Sequence, residues 1–190
     1  MKRILIACAI ALPLLSFTLL SNNWNLDPGH AKLRFSITHL GINDVEGSFR
    51  TLSARITATK DDLTDAVVEF TADTKSIDTE NSQRDDHLRT ADFFDVEKHP
   101  AITYKSTSFT KVAEGRYRVT GNLTMKGVTK PVELDATVRY GIHPMNQKQV
   151  AGFKVTGVVD RTQFGVGAGM GDAMLSNNVE FTANMEFAKE

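Results

Sequence analysis

The feature that most constrains this chain is a period of two in its apolar residues. Leu33, Phe35 and Ile37, for example, alternate with Arg34 and Ser36. Successive side chains of a β-strand point to opposite faces, so each such run predicts a strand with one apolar and one wet face. Eight runs follow one another, beginning near residues 33, 49, 66, 102, 117, 132, 151 and 179. They predict an all-β protein.

The connections between the runs show turn chemistry. Gly115 and Gly127 stand where hairpin turns are expected, and a one-residue slip between Phe49 and Leu52 predicts a β-bulge. Eight antiparallel strands with one apolar face each can close as a barrel or stack as a sandwich, and the pattern does not choose between them. The wet faces carry too many charges to line a lumen, so the apolar faces are expected to point inward.

The N-terminus has the layout of a secretory signal peptide. Lys2 and Arg3 precede an uncharged stretch from Ile4 to Leu20. We therefore expect a signal peptide over residues 1–21, a single domain over residues 22–190, and a periplasmic or secreted protein. The alternative is an uncleaved signal that anchors the chain in the inner membrane; after cleavage no stable membrane insertion is expected.

Composition excludes several function classes. Cys8, the only cysteine, lies in the predicted signal, so the domain has no disulfide and no catalytic thiol. Without Lys2 and Arg3 the domain has a formal charge of −3, and no basic stripe suggests nucleic acid as a partner. The five histidines show no metal-ligand spacing, and no G-x-S-x-G elbow surrounds a serine. We therefore predict no metal site and no catalytic residues.

One stretch of the chain departs from the strand pattern. Helix signals run over about residues 79–92, with Asp78 or Thr79 as the cap. A stripe at helical spacing is expected to face the protein and consists of Arg84, His87, Leu88 and Ala91. The opposite face is expected to look toward water and consists of Asp85, Asp86 and Arg89. The two phenylalanines at 93 and 94 are expected to anchor the helix to the sheet.

The inward stripe of this helix has two interpretations. Arg84 and His87 could form a polar clamp at the mouth of a cavity, or they could pair with a nearby carboxylate and backbone groups and have only a structural role. The inner faces of the strands are similarly ambiguous. They combine aromatic residues with many alanines and glycines, which either leave an apolar cavity or ease close packing.

The most specific stretches are SIDTENSQRDDHLRTADFFDVEKHP and GNLTMKGVTKPVEL, together with the opening WNLDPGHAKLRFSITHLG. DRTQFGVG, which leads into a glycine-rich segment expected to lie as a mobile loop at the barrel rim, and the closing LSNNVEF complete the set. With these motifs the chain resembles the YceI family of lipocalin-like, polyisoprenoid-binding bacterial proteins, from Trp24 to the last strand. The resemblance implies an eight-stranded antiparallel barrel with one helix packed against or over it. It also implies an apolar channel that binds an isoprenoid lipid in the periplasm.

From the face assignment and the resemblance together, we expect a protein that sequesters or carries a polyisoprenoid or an isoprenoid quinone, with no other cofactor. The candidate cavity-wall residues are Phe35, Ile37, Phe70, Leu88, Phe93, Tyr104, Tyr117, Phe153, Phe164 and Phe181. The candidate head-group contacts are Arg84, His87, His39 and Ser106. The alternatives are an enzyme that modifies a lipid or quinone in the same cavity, and a structural or stress-related module. Monomer and homodimer both remain open.

Overall fold

A computed structural model describes residues 21–190 of the chain. The predicted signal peptide therefore lies outside the described residues, except for its last position. The described part contains ten strands, one α-helix and two short 3₁₀ helices. No helix in this part is long and apolar enough to cross a membrane.

The first five strands are β1 (Asn22–His39), β2 (Asn43–Phe49), β3 (Leu52–Ala58), β4 (Val67–Asp73) and β5 (Ile77–Asp78). Helix α1 (Ser82–Arg89) follows. The remaining strands are β6 (Ala101–Ala113), β7 (Arg116–Met125), β8 (Val128–Ile142), β9 (Gln149–Asp160) and β10 (Asn178–Lys189). The 3₁₀ helices are Thr74–Ser76 and Arg161–Phe164.

Eight of the strands form a closed antiparallel barrel. Their order around the barrel is β1, β3, β4, β6, β7, β8, β9 and β10, and pairing of β10 with β1 closes the ring. The prediction of an all-β fold is therefore confirmed, and of the two architectures it left open the barrel is the observed one. Closure leaves no unpaired edge in the barrel wall, because every strand has a neighbour on both sides.

The slip after Phe49 is not a bulge, and the prediction of a bulge at this position is wrong. The chain instead breaks into two strands, with residues 50 and 51 between β2 and β3. The N-terminal end of β1 pairs with β3 as part of the barrel wall, whereas its C-terminal end pairs with β2. β2 in turn pairs with the two residues of β5, so these two strands extend the wall at one end of the barrel.

Tight turns join the long hairpins as predicted. Gly115 lies between β6 and β7 with φ +63°, and residues 126 and 127 between β7 and β8 have φ of +49° and +76°. Two successive positive φ values are the geometry of a type I′ turn, whose twist matches that of the flanking strands.

The core consists of two clusters stacked along the barrel. One cluster, toward the end where β1 begins, includes Trp24, Phe109 and Tyr117. The other lies under α1 and includes Phe49, Phe94 and residues of the segment after β9. The two clusters leave between them the space described below.

Helix α1 is shorter than predicted and is capped by another residue. It covers eight residues, and the Asn81 side chain accepts a hydrogen bond from the Arg84 backbone N–H. Its faces also differ from the prediction at three positions. Asp85 is buried rather than turned to water, and Ala91, beyond the end of the helix, is exposed. Arg89, also predicted to face water, is only partly exposed and donates to the backbone carbonyls of Lys75 and Ile77. The predicted anchors Phe93 and Phe94 are buried as expected.

Candidate functional site

The barrel encloses a cavity of about 440 Å³. Its walls come from the inward faces of the barrel strands, from α1 and from the segment between β9 and β10. Cavities that hold small ligands typically measure about 300–1,000 Å³ and are mostly apolar. The space is therefore large enough for a ligand of moderate size.

Most of the predicted wall residues line this cavity. The eight that do are Phe35, Ile37, Phe70, Leu88, Phe93, Tyr104, Phe153 and Phe181. Several of these side chains point into the barrel and are still only partly buried, because they border the cavity. Burial raises the pKa of Tyr104 to about 12, so its hydroxyl stays protonated at any physiological pH.

Two predicted wall residues do not line the cavity. Tyr117 packs against Phe109 with ring centroids 4.8 Å apart, and both rings fill the end of the barrel where β1 begins. Phe164 lies in the 3₁₀ helix after β9 and is completely buried in the other cluster. Neither inward alternation nor aromatic character distinguishes a cavity wall from solid core.

Ser106 also has a different role from the predicted one. Its hydroxyl accepts a hydrogen bond from the Val68 backbone N–H at 2.8 Å and lies 3.5 Å from the Ala66 carbonyl. The pairing of β6 shifts register at this residue, and the side chain takes over the ladder contact there. Ser106 is therefore a strand-pairing residue and not a head-group contact.

The polar lining of the cavity is confined to one end. Apart from the hydroxyl of Tyr104, polar side-chain atoms come from five lining residues, which are His39, Thr79, Arg84, His87 and Arg161. Three of these, at positions 39, 84 and 87, belong to the predicted head-group set. Among the described residues no carboxylate lines the cavity. The polar end therefore carries two guanidinium cations beside apolar walls, which favours an anionic group over a cation there.

Arg84 is held at this end by a short chain of hydrogen bonds. Its Nε donates to the Thr79 hydroxyl and its Nη2 to the Thr79 carbonyl, both at 2.7 Å. The Asp85 carboxylate accepts from the Thr79 hydroxyl at 2.6 Å and from the Thr79 N–H at 2.9 Å. These bonds orient the guanidinium and leave Nη1 without a hydrogen-bond acceptor among the described residues. Neither Thr79 nor Asp85 was predicted to take part in the site.

His87 lies at the rim rather than deep in the cavity. Its side chain is 48% exposed, its ring meets Phe93 edge to face at 5.0 Å, and Nε2 is 3.5 Å from an Asp92 carboxylate oxygen. His39 is exposed at the end of β1, where it forms an isolated bridge with Leu175. Together the two histidines mark the mouth of the cavity.

Arg161, which sequence reasoning missed, organises the other side of the mouth. This arginine is 2% exposed and donates five hydrogen bonds of 2.6–2.9 Å. The acceptors are the backbone carbonyls of Val166, Gly167, Met170, Leu175 and Ser176. Burial lowers the pKa of its guanidinium, and nearby Asp160 and Asp172 partly oppose this. The predicted rim loop, Gly165 to Gly171, lies within the segment that these bonds fold over the cavity.

Small residues on the inner face serve close packing as well as the cavity. A Cβ at Gly121 would come within 2.6 Å of the Tyr104 ring and hydroxyl, and one at Gly157 within 2.9 Å of the Phe181 ring. These glycines make room for the aromatic rings of the wall. The two interpretations of the small residues therefore do not exclude each other.

A cluster of potential metal ligands lies outside the cavity. Asp27, His30 and Glu186 have ligand atoms within 4.8 Å of one another on the outer surface of β1 and β10. Asp27 and His30 already form an ion pair at 2.8 Å. This grouping comes from the cross-strand pairing of Asp27 with Glu186 and could not be derived from histidine spacing along the chain.

Fold and site together define a closed, eight-stranded barrel protein with an internal apolar chamber that has one cationic end. Comparison with known proteins shows which family the chain belongs to. The family model described as the YceI-like domain matches residues 24–187, and the chain belongs to this family. A UPF0312 protein of Pectobacterium carotovorum is 38% identical over 162 residues, which cover 85% of this chain and 82% of the relative.

Solved structures agree with this assignment. The crystal structure of the Campylobacter jejuni YceI protein matches with a TM-score of 0.71 and 27% identity, over 80% of this chain and 90% of that one. A polyisoprenoid-binding domain from Saccharophagus degradans, implicated in plant cell wall breakdown, has the same fold with a TM-score of 0.68 and 14% identity. That match covers 88% of this chain and 98% of the other.

Proposed function

We propose that this protein binds an amphipathic isoprenoid lipid and holds it in the barrel, either to sequester it or to carry it. The observation that carries the proposal is the cavity itself, which is apolar along its length and has two arginines at its mouth end. Burial of a hydrocarbon tail contributes about 25 cal/mol per Å² of apolar area, less the cost of ordering the chain. A prenyl tail in the chamber and a polar head at Arg84 satisfy both parts of the site, because Arg161 already donates all five of its N–H groups to backbone carbonyls.

The choice of head group rests on Arg84. Arg84 lines the cavity and its Nη1 has no acceptor among the described residues, and a guanidinium binds phosphate or pyrophosphate oxygens through several parallel donors. A polyisoprenoid phosphate or pyrophosphate therefore fits better than an isoprenoid quinone, whose carbonyl oxygens are uncharged. The structural neighbour that is named for polyisoprenoid binding supports the lipid class.

The compartment is also part of the proposal. The basic start and the uncharged stretch that follows favour export, and the exported domain would meet isoprenoid lipids in the periplasm. Sequencing the N-terminus of the protein recovered from cells tests this. A first residue near Asn22 supports cleavage of the signal, and an intact Met1 supports the membrane anchor.

The proposal as a whole is tested by extraction of the purified protein. We expect organic extraction and mass spectrometry to recover an isoprenoid lipid in near-stoichiometric amount. Protein that arrives empty should take up a prenyl chain when it is offered. A lipid-free protein that takes up no prenyl phosphate or prenyl alcohol would contradict the proposal.

Arg84 provides a test of the head-group assignment. Arg84→Ala should weaken binding of a prenyl phosphate by about tenfold, and binding of the matching prenyl alcohol by much less, because only the phosphate uses the guanidinium. Competition against a fluorescent prenyl probe measures both affinities. Arg118→Ala, on the outer face, is the control. Equal losses for phosphate and alcohol would mean that Arg84 only holds the helix in place.

A further inference from the structure

Three large aliphatic side chains are exposed together at the mouth of the cavity. Leu40 is 51% exposed, Ile42 is 83% exposed and Met174 is 50% exposed. The Leu40 N–H donates to the Met174 carbonyl at 3.0 Å, and the Ile42 N–H donates to the His39 carbonyl at 3.2 Å. The three residues therefore form one contiguous surface, called here the apolar rim.

The apolar rim continues the wall of the cavity. Met174 lines the cavity and is half exposed, so its side chain belongs to both surfaces. His39 and Leu175, which bridge the same two segments, also line the cavity. A hydrocarbon chain leaving the cavity on this side would pass directly onto the rim.

Leu40 occupies its position against local backbone preference. The hydrogen bond between residues 39 and 42 closes a type I′ turn in which Leu40 has φ +55° and Gly41 has φ +67°. Such turns favour Asn-Gly, and a leucine in the left-handed region is strained. A strained residue that also exposes an apolar side chain indicates a functional use of that side chain.

The size and composition of the rim favour a bilayer over a protein partner. The three side chains expose on the order of 300 Å², well below the roughly 800 Å² per partner of a stable protein interface. They include none of the Tyr, Trp or Arg residues that anchor such interfaces. Exposed Asp44 and Asp172 lie beside the rim, so attraction to an anionic surface is not built into it.

We propose that the apolar rim inserts into the surface of a lipid bilayer and brings the mouth of the cavity against the hydrocarbon region. A prenyl chain would then move between bilayer and cavity without crossing water. This inference rests on the proposed function and names the source of its ligand. Uncharged phosphatidylcholine is a sufficient surface, and anionic lipid does not strengthen the contact.

Paired variants test the docking. Leu40→Asn with Ile42→Asn removes most of the apolar rim, and asparagine suits the turn at position 40. The control is Ile142→Asn with Met145→Asn, since these residues are 59% and 89% exposed at the opposite end of the barrel. Each protein is measured in flotation with phosphatidylcholine vesicles, and in uptake of a fluorescent prenyl alcohol from those vesicles and from a dispersed detergent solution.

We expect the rim variant to lose about tenfold or more in vesicle binding and in the rate of uptake from vesicles, because two inserted aliphatic groups are gone. Its uptake from detergent and the behaviour of the control variant should match the wild type. Equal vesicle binding by wild type and rim variant would overturn the inference, as would equal losses in both variants. A wild-type dimer that the rim variant dissociates would also overturn it, since a second copy would then cover the rim.

The same measurements separate this inference from the proposed function. Uptake from detergent without any vesicle binding would overturn the docking alone. Rim-dependent vesicle binding with no uptake of prenyl chain from either source would overturn the proposed function and leave the docking surface in place.

Discussion

Arg161 donates from all three of its guanidinium nitrogens to five backbone carbonyls, so one side chain fixes the path of the segment between β9 and β10. Backbone carbonyls are neutral acceptors, and the charge is therefore solvated by the protein rather than neutralised by a direct ion pair. The planar fork of an arginine can satisfy such a ring of acceptors, whereas the ammonium of a lysine has three donors at one point.

We expect Arg161→Lys to lower the free energy of unfolding by about 2–3 kcal/mol, because several buried carbonyls lose their donors. Chemical denaturation of the purified domain measures the change. Arg118→Lys serves as the control, since Arg118 is about half exposed on the outer face and should change stability by less than about 0.5 kcal/mol. Equal stability of the two variants would show that water replaces the lost donors.

The ion pair of Asp27 and His30 gives the surface a pH dependence. The hydrogen bond that His30 donates to the Asp27 carboxylate raises the pKa of His30 above its ordinary 6.5, and the same bond lowers the pKa of Asp27 below 3.8. A raised histidine pKa contributes stability that is complete below the unfolded pKa and is lost as pH rises through the folded pKa. The Asp27 contribution is lost when pH falls through its own lowered pKa.

His30→Ala should therefore be less stable than the wild type near pH 5–6, and the difference should shrink as the pH rises toward about 9. Thermal unfolding across this pH range measures the gap. In an Asp27→Asn background the substitution of His30 should lose its pH dependence, because the partner that raises the pKa is gone. A gap that grows with pH would contradict the sign of the shift.

At the scale of elements, α1 shows what a helical pattern can and cannot predict. The stripe of Arg84, His87 and Leu88 does face the protein, as its spacing predicts. Asp85 lies outside that stripe, yet it is buried because its carboxylate bonds the Thr79 backbone and hydroxyl just before the helix. The helix is therefore held by the hydrogen bonds of Asp85 to the residue just after β5, in addition to the packing of its inward stripe.

Asp85→Ala should destabilise the protein by about 2–4 kcal/mol, because the buried N–H and hydroxyl of Thr79 lose their acceptor. Its neighbour Asp86 is the matched control, since that carboxylate is 78% exposed and pairs only with Arg89 at the surface. Asp86→Ala should cost well under 1 kcal/mol. Urea unfolding of both variants decides the matter, and similar losses would contradict the role given to Asp85.

The strands were predictable because each barrel strand alternates between an apolar interior and solvent. The split between β2 and β3 was not, since it depends on β1 exchanging one partner for another along its length. Such long-range pairing leaves no periodic mark in the sequence. The bulge was predicted from the local slip in the pattern, whereas the slip results from the change of strand partner along β1.

At the scale of the whole molecule, the barrel encloses a chamber, whereas the interior of a barrel with fewer strands would be filled by side chains. Eight strands give an interior just wide enough to be filled by side chains or to hold one ligand. Here the wall residues include Val132 and Val155, which point inward and are still partly accessible. A filled core would bury both completely.

This difference gives a test of the chamber. Val155→Trp should reduce the amount of prenyl alcohol bound several-fold, yet change stability by no more than about 1 kcal/mol, because the indole occupies empty space. Titration with the fluorescent lipid and denaturation measure the two effects. Val158→Trp, at a position 55% exposed, should alter neither. A large loss of stability for Val155→Trp would indicate a solid core.

The alternation of strand residues also made part of the candidate site predictable. Alternation places Phe35, Phe70 and Phe153 inward, and all three line the cavity. It cannot tell which inward residues border a space, so Tyr117 was assigned to a wall when it belongs to packed core. Arg161 and Met174 escaped prediction because they lie in the non-strand segment between β9 and β10, whose fold over the mouth depends on hydrogen bonds between residues several positions apart.

Strand β1 runs from one end of the barrel to the other, and this fixes an orientation. Asn22 begins the strand beside the end of β3, whereas His39 ends it at the mouth. Three residues of β1 bulge out between Asp27 and Ala31, so at 3.3 Å per remaining residue and the usual tilt of barrel strands the two ends lie about 30–40 Å apart along the axis. A chain tethered to a membrane just before Asn22 would therefore hold its mouth toward the opposite side, where it could reach only a second, facing membrane. A chain released from its leader has no such polarity and can present its mouth to either surface.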